Sequence, residues 1–461
     1  MPSSPLYTTR LSGRTIRLLH IEPGEADSPL QCSLKLKELD GSAVPYFALS
    51  YVWGSTTDRK RITCNGHVTE ITTNLHSLLL EYRRRGVDGN DLETPLWVDA
   101  LCICQTDDEE RTTQVRMMQN IYKQAEAVII WLGPMASKDH HIDLQTLGMI
   151  NAPFKRYMGL PLYTIHSVSS FDKWLADRLT DQHFKELAKF LQTPWFQRIW
   201  VVQELLFARK LRVWRGDMVL DEEDILSGAY HMMAMNNITV RLQLGVDENS
   251  NRMQITNAGR LEALRKEKAE GDQLNMLSLL LATRCLQATD RRDKIFALVG
   301  LASDMDESFV DYGKDIREIV TELSRMLLGG QLDSLPSPLD VLSYITRPDG
   351  EREDLPSWVV EWTLFSDRSL FVALAGVYPT EPPYVTEKPI MHFEDEKVRL
   401  ASYADLMSLT QYSDTYRPRR PHRIHIPHRR LPTLHVPSDL HARAHNHQQR
   451  QSIHTLARAM Q

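Results

Sequence analysis

The chain has 461 residues, 42% of them hydrophobic and 25% charged, with a formal net charge of -6. Such length and composition exclude a wholly disordered chain, a fibrous repeat and a small disulfide scaffold, and predict about two or three domains with a real core. The charge is uneven: residues 415–461 hold nine Arg, no Lys and one acid, Asp439, so that segment is +8 and residues 1–414 carry -14.

Residues 1–45 read as a lead-in without the apolar run of a secretory signal. Residues 46–54 (Tyr-Phe-Ala-Leu-Ser-Tyr-Val-Trp-Gly) form a short apolar run stopped by Gly54, as expected of a strand covered on both faces. Asn65-Gly66 between β-branched runs predicts a hairpin over 61–71. Residues 74–85 place Leu75, Leu78, Leu79 and Tyr82 on one side of a helix. Residues 96–103 read as a second buried strand with Asp99 in its middle, sharing a face with Trp97, Leu101 and Ile103. An amphipathic helix is expected over 107–125, opened by a capping box of Asp107 and Glu110. Residues 128–132 form a third buried strand, ended by Gly133-Pro134. Strand, helix, strand at this spacing predicts a βαβ unit, so the fold class is α/β: a mostly parallel sheet flanked by helices.

Residues 135–182 are irregular; helices follow at 183–191 and 194–209, and a strand at 211–214. From Gly216 helical patterns dominate, at 221–235, 258–288, 294–301 and 316–328. The expected organisation is a lead-in over 1–45, an α/β domain over 46–215, a mainly helical accessory region over 216–410 and a basic tail over 411–461. That tail is rich in His, Arg and Pro and suits a segment that does not fold.

Five cysteines (Cys32, Cys64, Cys102, Cys104 and Cys285) in irregular spacing make neither a zinc framework nor an extracellular disulfide set, and point to reduced intracellular thiols. Gly-rich nucleotide loops, zinc-protease helices, nucleophile elbows and EF-hand loops are missing, so no metal site and no certain cofactor is indicated. The acidic body disfavours nucleic acid as a partner. The longest apolar stretches are too short to span a bilayer. A soluble cytoplasmic protein is expected, with nuclear import through the basic tail as the alternative.

Two carboxylates demand an explanation. A helix over 194–209 would be apolar all round, hence buried, with Gln203 between Ile199 and Phe207 and Glu204 between Trp200 and Ala208. A buried carboxylate is costly unless it is paired or its pKa rises, which makes Glu204 a functional candidate; a structural bond to backbone or to Arg198 is the alternative. Asp99 poses the same problem. Ser50 and Cys104 are nucleophile-capable residues near strand ends, but no His stands at a diagnostic spacing from either. Ligands of open parallel sheets sit beyond the carboxyl ends of the strands, here 53–58 and 104–110.

On these same segments the chain resembles the fungal heterokaryon incompatibility (HET) domain. The likeness is carried by residues 46–54, by 96–105 (Leu-Trp-Val-Asp-Ala-Leu-Cys-Ile-Cys-Gln), and by 195–204 (Trp-Phe-Gln-Arg-Ile-Trp-Val-Val-Gln-Glu), in that order. The middle block continues through Asp107, Glu110, Arg111, Gln114, Met118, Ile121, Tyr122 and Ala125 to Trp131-Leu132-Gly133. A looser likeness extends over 290–301 and 355–362. Cys104 departs from the pattern, standing where the family carries Asn or Asp.

The resemblance implies fungal non-self recognition ending in programmed cell death, with protein partners or self-association as the means. It also implies remote kinship with TIR domains, hence a TIR-like or flavodoxin-like sheet. Through that kinship it implies an alternative chemistry, cleavage of NAD. Glu204 would then stabilise an oxocarbenium-like ribosyl centre, with Asp99 as the second catalytic candidate. Ser50, Trp53, Gln105, Arg198, Trp200 and Gln203 would line the site for a small nucleotide. This step is fold-level analogy. The Cys104 replacement implies a further alternative, an inactive copy.

Overall fold

Two five-residue strands with no solvent face, β3 (Phe47–Tyr51) and β7 (Ala127–Trp131), lie side by side at the centre of the sheet. The computed structural model describes residues 6–25, 28–39, 45–89, 93–135, 148, 181–234, 251–332, 341, 355–356, 358–363, 391–394 and 397–400. The expectations for most of 135–182 and for the tail over 411–461 lie outside the described residues. The chain divides into two compact units, Met1–Asp315 with Trp362–Phe365, and Ile316–Glu361 with Ser366–Gln461.

In the first unit, β1 (Thr15–Ile21), β2 (Gln31–Glu38), β4 (Arg59–Cys64), β5 (His67–Thr72), β6 (Leu96–Trp97), β8 (Leu211–Arg215) and β9 (Met218–Leu220) complete the sheet. Its order is β5-β4-β2-β1-β6-β3-β7-β8-β9. The middle run β6-β3-β7-β8 is parallel throughout. At the margins, β1 pairs antiparallel with β2 and β6, β4 with β5, and β8 with β9, while β2 and β4 run parallel. The α/β class holds; the sheet is parallel where it is most buried and mixed outside. The strands β1 and β2 lie within the segment read as a lead-in. The hairpin turn is formed by Asn65 (φ 52) and Gly66 (φ 77), the pair of positive φ values that a tight hairpin requires.

Helices α1 (Thr73–Gly89), α2 (Asp99–Cys102), α3 (Asp108–Arg116), α4 (Met118–Gln124), α5 (Asp181–Leu191) and α6 (Val201–Leu206) flank the sheet. Helix α1 buries Leu75, Leu78, Leu79 and Tyr82, the face its periodicity marks. The first unit continues with α7 (Glu222–Ala234), α8 (Asn251–Glu270), α9 (Met276–Thr283) and α10 (Asp293–Val299). Gly271, at φ 93, ends α8 and divides the pattern that ran unbroken over 258–288. The second unit contains α11 (Ile316–Leu328) and the hairpin of β10 (Met391–Glu394) and β11 (Lys397–Leu400). Among the described residues no helix is long and apolar enough to cross a membrane.

Three expectations need correction. The strand expected over 96–103 stops at Trp97, because Asp99 starts a helical turn instead. Its Oδ1 accepts the Ala100 N–H at 2.7 Å, and Leu101 and Cys102 donate to the Val98 carbonyl. A short acidic side chain bonding its own backbone competes with a β ladder. Asp99 therefore does not share a strand face with Leu101 and Ile103. Second, the helix expected over 107–125 breaks at Met117 into α3 and α4. Asp107 caps α3 by accepting from the Glu109 and Glu110 amides at 3.2 Å each, but Glu110 does not complete the box. It turns inward to Arg17, with Nη1–Oε1 2.6 Å and Nη2–Oε2 3.1 Å, both side chains buried. Third, the helix expected over 194–209 is a short 3-10 turn (Pro194–Gln197), an extended Arg198, and then α6.

Candidate functional site

The carboxyl end of β3 is where polar groups converge. Ser50, with no exposed surface, faces the first turn of α6, and its hydroxyl donates to Glu204 Oε2. The Trp195 indole donates to Ser50 Oγ at 2.7 Å. Glu204 is 2% exposed. Its other oxygen lies 3.6 Å from Arg198 Nη1, which also donates to the Tyr51 carbonyl. Burial pushes the Glu204 carboxyl up to about 7; Arg198 and Ser50 pull against that rise, and Asp99 adds to it.

Arg198 is aimed by its backbone. As the extended link between two helical turns it forms a parallel bridge with Gln287. Ile199 donates to the Gln287 carbonyl at 2.9 Å, and Gln287 donates back to the Gln197 carbonyl. Burial alone would weaken the guanidinium's hold on its proton, but Glu204 and Asp99 raise its pKa above the ordinary value.

Asp99, at the start of α2, accepts the Trp53 indole N–H at 2.8 Å, and its carbonyl accepts from Gln105 Nε2 at 2.8 Å. Trp53 is 39% exposed, one of few large apolar side chains open to solvent among the described residues. Near Asp99 the buried Tyr51 hydroxyl meets no hydrogen-bond partner in good geometry. Burial first, and then the Asp99 charge, hold it well above the ordinary tyrosine range. Tyr122, which donates to the Leu49 carbonyl at 3.2 Å, is pushed up by burial and then by Glu204 and Asp99. Asn74 fixes the loop beyond β3: its Nδ2 donates to the Val52 carbonyl at 2.6 Å and its Oδ1 accepts the Trp131 indole at 2.9 Å. Gly54, at φ +80, passes so close that a Cβ there would lie 3.3 Å from Asn74 Cβ.

Ser50, Trp53, Asp99, Arg198 and Glu204 thus gather at one place, with Gln105 holding the Asp99 carbonyl. Gln203 and Trp200 do not join them. The Gln203 amide nitrogen lies 3.3 Å from where a Cβ on Gly300 would stand, at the end of α10, and its buried Oε1 has no hydrogen-bond partner. The Trp200 indole donates to Asp293 Oδ2 at 3.1 Å. There it meets a second cluster, in which Arg111 lies 3.0 Å from Asp290 Oδ2 and 3.6 Å over the Tyr312 ring. Cys104 contacts Thr106 Oγ1 at 3.5 Å and gives its amide to Glu110. Trp195, Tyr51 and Asn74 were not singled out in the sequence; the first two lie inside recognisable blocks, and a Trp aligned with a buried Ser leaves no local pattern.

Chemically, the site couples a carboxyl that is half-protonated near neutrality to a fixed guanidinium, beside an open indole face. Such a group can give or take a proton, and Arg198 can face a developing negative charge. Among the described residues no group of three or more His, Cys, Asp or Glu is placed to hold a metal ion.

Residues 46–204 match the family model described as Heterokaryon incompatibility protein (HET). The chain is 26% identical over 410 aligned residues to "Heterokaryon incompatibility protein 6, OR allele" of Neurospora crassa, covering 75% of this chain and 57% of that protein. The chain therefore spans little more than half the length of that relative. No solved structure matches.

Proposed function

We infer that this chain, whose residues 46–204 match the HET family model, acts in heterokaryon incompatibility. Its HET domain triggers programmed cell death by assembling with further copies or with a protein partner, in the cytoplasm. One observation carries this reading. Ser50, Trp53, Asp99, Arg198 and Glu204 come together at the end of β3, and all five lie inside the matched stretch. Regulated expression of the full chain in a fungal host, with size-exclusion light scattering of the purified protein, tests it. Growth arrest accompanied by oligomers supports the reading. A chain that stays monomeric, binds no partner and leaves growth unchanged refutes it.

Glu204 favours a second reading, hydrolysis of NAD in the manner of TIR-type enzymes. A carboxyl raised to about 7 beside Arg198 suits an oxocarbenium-like centre, and the half-open Trp53, held on Asp99, suits a stacked ring. Incubating the full chain with NAD and following nicotinamide release decides it, with Glu204→Gln as the control. No release from folded protein at high concentration removes this reading and leaves the first intact. Killing or nicotinamide release gained only on Cys104→Asn identifies an inactive copy.

A further inference from the structure

Five thiols are free in the structure, and two of them are register partners. Strands β2 and β4 run parallel and pair at two positions only, Gln31 with Thr63 and Cys32 with Cys64. Partners in a parallel ladder point to the same face, and neighbouring strands lie about 4.8 Å apart. That spacing falls inside the Cα separation a disulfide accepts. Cys32 is 6% exposed and Cys64 is fully buried.

The other thiols are placed differently. Cys102 sits inside the α2 turn and accepts the Val98 N–H at 3.3 Å. Cys104 contacts Thr106, and Cys285 receives Arg260 Nη1 at 2.9 Å. Both are half-exposed, and neither has a register partner among the cysteines.

We propose that Cys32 and Cys64 are a redox modification site, which a peroxide converts to a disulfide that staples the β4–β5 hairpin to the rest of the sheet. The Cys64 sulfur, as thiolate, attacks one peroxide oxygen. The O–O bond breaks and its far oxygen leaves as water, giving a sulfenic acid at Cys64. The Cys32 sulfur then attacks the Cys64 sulfur; the S–O bond breaks and a second water leaves. Two thiols lose two electrons and two protons, and one hydrogen peroxide becomes two waters.

The order of the steps follows from the environment. The Cys32 thiol donates to the Thr63 carbonyl at 3.4 Å, beside its register partner; the neighbouring Cys32 holds the Cys64 thiol below its ordinary pKa against the effect of burial, while Cys64 and burial push Cys32 up. Access comes through local opening. Strands β4 and β5 are largely exposed at the sheet margin. Backbone bonds from Thr63 to the Leu30 carbonyl and from Asn65 to the Cys32 carbonyl, both 3.0 Å, and one from the Leu34 N–H to Asn65 Oδ1 at 2.9 Å, join the hairpin to β2. Few bonds at an edge give a low opening free energy. Oxidation removes that freedom.

The test uses the full chain, purified reduced, treated with hydrogen peroxide, quenched with a thiol alkylator in denaturant and mapped without reduction. Cleavage after Lys and Arg places Cys32 in 18–35, Cys64 in 62–83, and Cys102 with Cys104 in 86–111. The expected result is a cross-linked 18–35/62–83 pair, with Cys102 still alkylated and thermal unfolding raised by about 5 °C. Cys32→Ala abolishes that cross-link and Cys102→Ser preserves it. Full alkylation of both Cys32 and Cys64 after peroxide, or a link from either to Cys102, overturns the proposal.

Discussion

The Ser50 hydroxyl donates a hydrogen bond to Glu204, 154 positions away in the chain. Its oxygen accepts another from the Trp195 indole N–H. This chain of hydrogen bonds fixes the orientation of the Glu204 carboxyl. It also explains why the centre of β3 carries a polar residue among Phe47, Ala48, Leu49 and Tyr51, all buried. A hydroxyl with no exposed surface is stable there only because it both donates and accepts.

Stability should carry the mark of Glu204. Its carboxyl titrates at about 7 in the folded chain against 4.5 ordinarily. Between those values the folded state binds more protons than the unfolded one, so this group's contribution is complete below about pH 4.5 and is lost as pH rises to about 7. Chemical denaturation near pH 5 and near pH 8 should show the wild type losing about 2.5 kcal/mol more than Glu204→Gln over that interval. Parallel losses in the two proteins would contradict it.

Arg198 works against burial at Glu204. Replacing it with Gln removes the charge that favours the carboxylate. The Glu204 titration, followed through carboxyl carbon chemical shifts, should move to higher pH. The same substitution withdraws a donor from the Tyr51 carbonyl, so unfolding should also begin at lower denaturant.

The ion pair of Arg17 and Glu110 has a structural role that Arg17→Met would expose. Glu110 accepts from Arg17 twice, from the Cys104 amide at 2.7 Å and from the Leu11 amide at 3.1 Å. Removing one partner of a buried pair costs about 3–5 kcal/mol, because the remaining charge keeps its desolvation penalty. Equilibrium unfolding should show that loss, and hydrogen exchange should quicken at the Leu11 and Cys104 amides.

Asn74→Ala should loosen the loop that presents Trp53. It orphans the Val52 carbonyl and the Trp131 indole together, at a cost of about 1–3 kcal/mol. Trp53 emission should shift to the red and its quenching by iodide should increase, while β3 itself keeps its exchange protection.

Ending the chain after Arg215 should yield insoluble protein. Arg116 donates to the Val310 carbonyl at 2.9 and 2.7 Å, Trp200 to Asp293, and Arg111 pairs with Asp290. All three of those acceptor residues lie downstream of the cut. A soluble fragment 1–215 that melts cooperatively would refute this.

The elements legible in the sequence were those whose pattern is local. The uninterrupted apolar runs of β3 and β7, and Asn65-Gly66 between β-branched residues, describe themselves. Strand β1 leaves no local signal because Arg17 interrupts its apolar run, and the reason for Arg17 lies at Glu110, far along the chain. Period-two alternation passes through Asp99 and suggests mid-strand, but a side-chain bond to the Ala100 amide ends the strand there. Helical spacing over 194–209 marks Glu204 as buried, although the chain makes two turns broken at Arg198. Burial of α6 was the correct part of that reasoning. The partners Ser50 and Trp195 depend on tertiary packing, which no spacing encodes.

The bridge between Arg198 and Gln287 bears on how portable this domain is. The matched family stretch ends at Glu204, yet the backbone that aims its counter-ion is borrowed from a strand-like rung beyond α9. Residues 46–204 grafted onto a foreign carrier would bring the acid and leave behind the splint that positions its base partner. The heritable module recognised by sequence is thus smaller than the mechanical one.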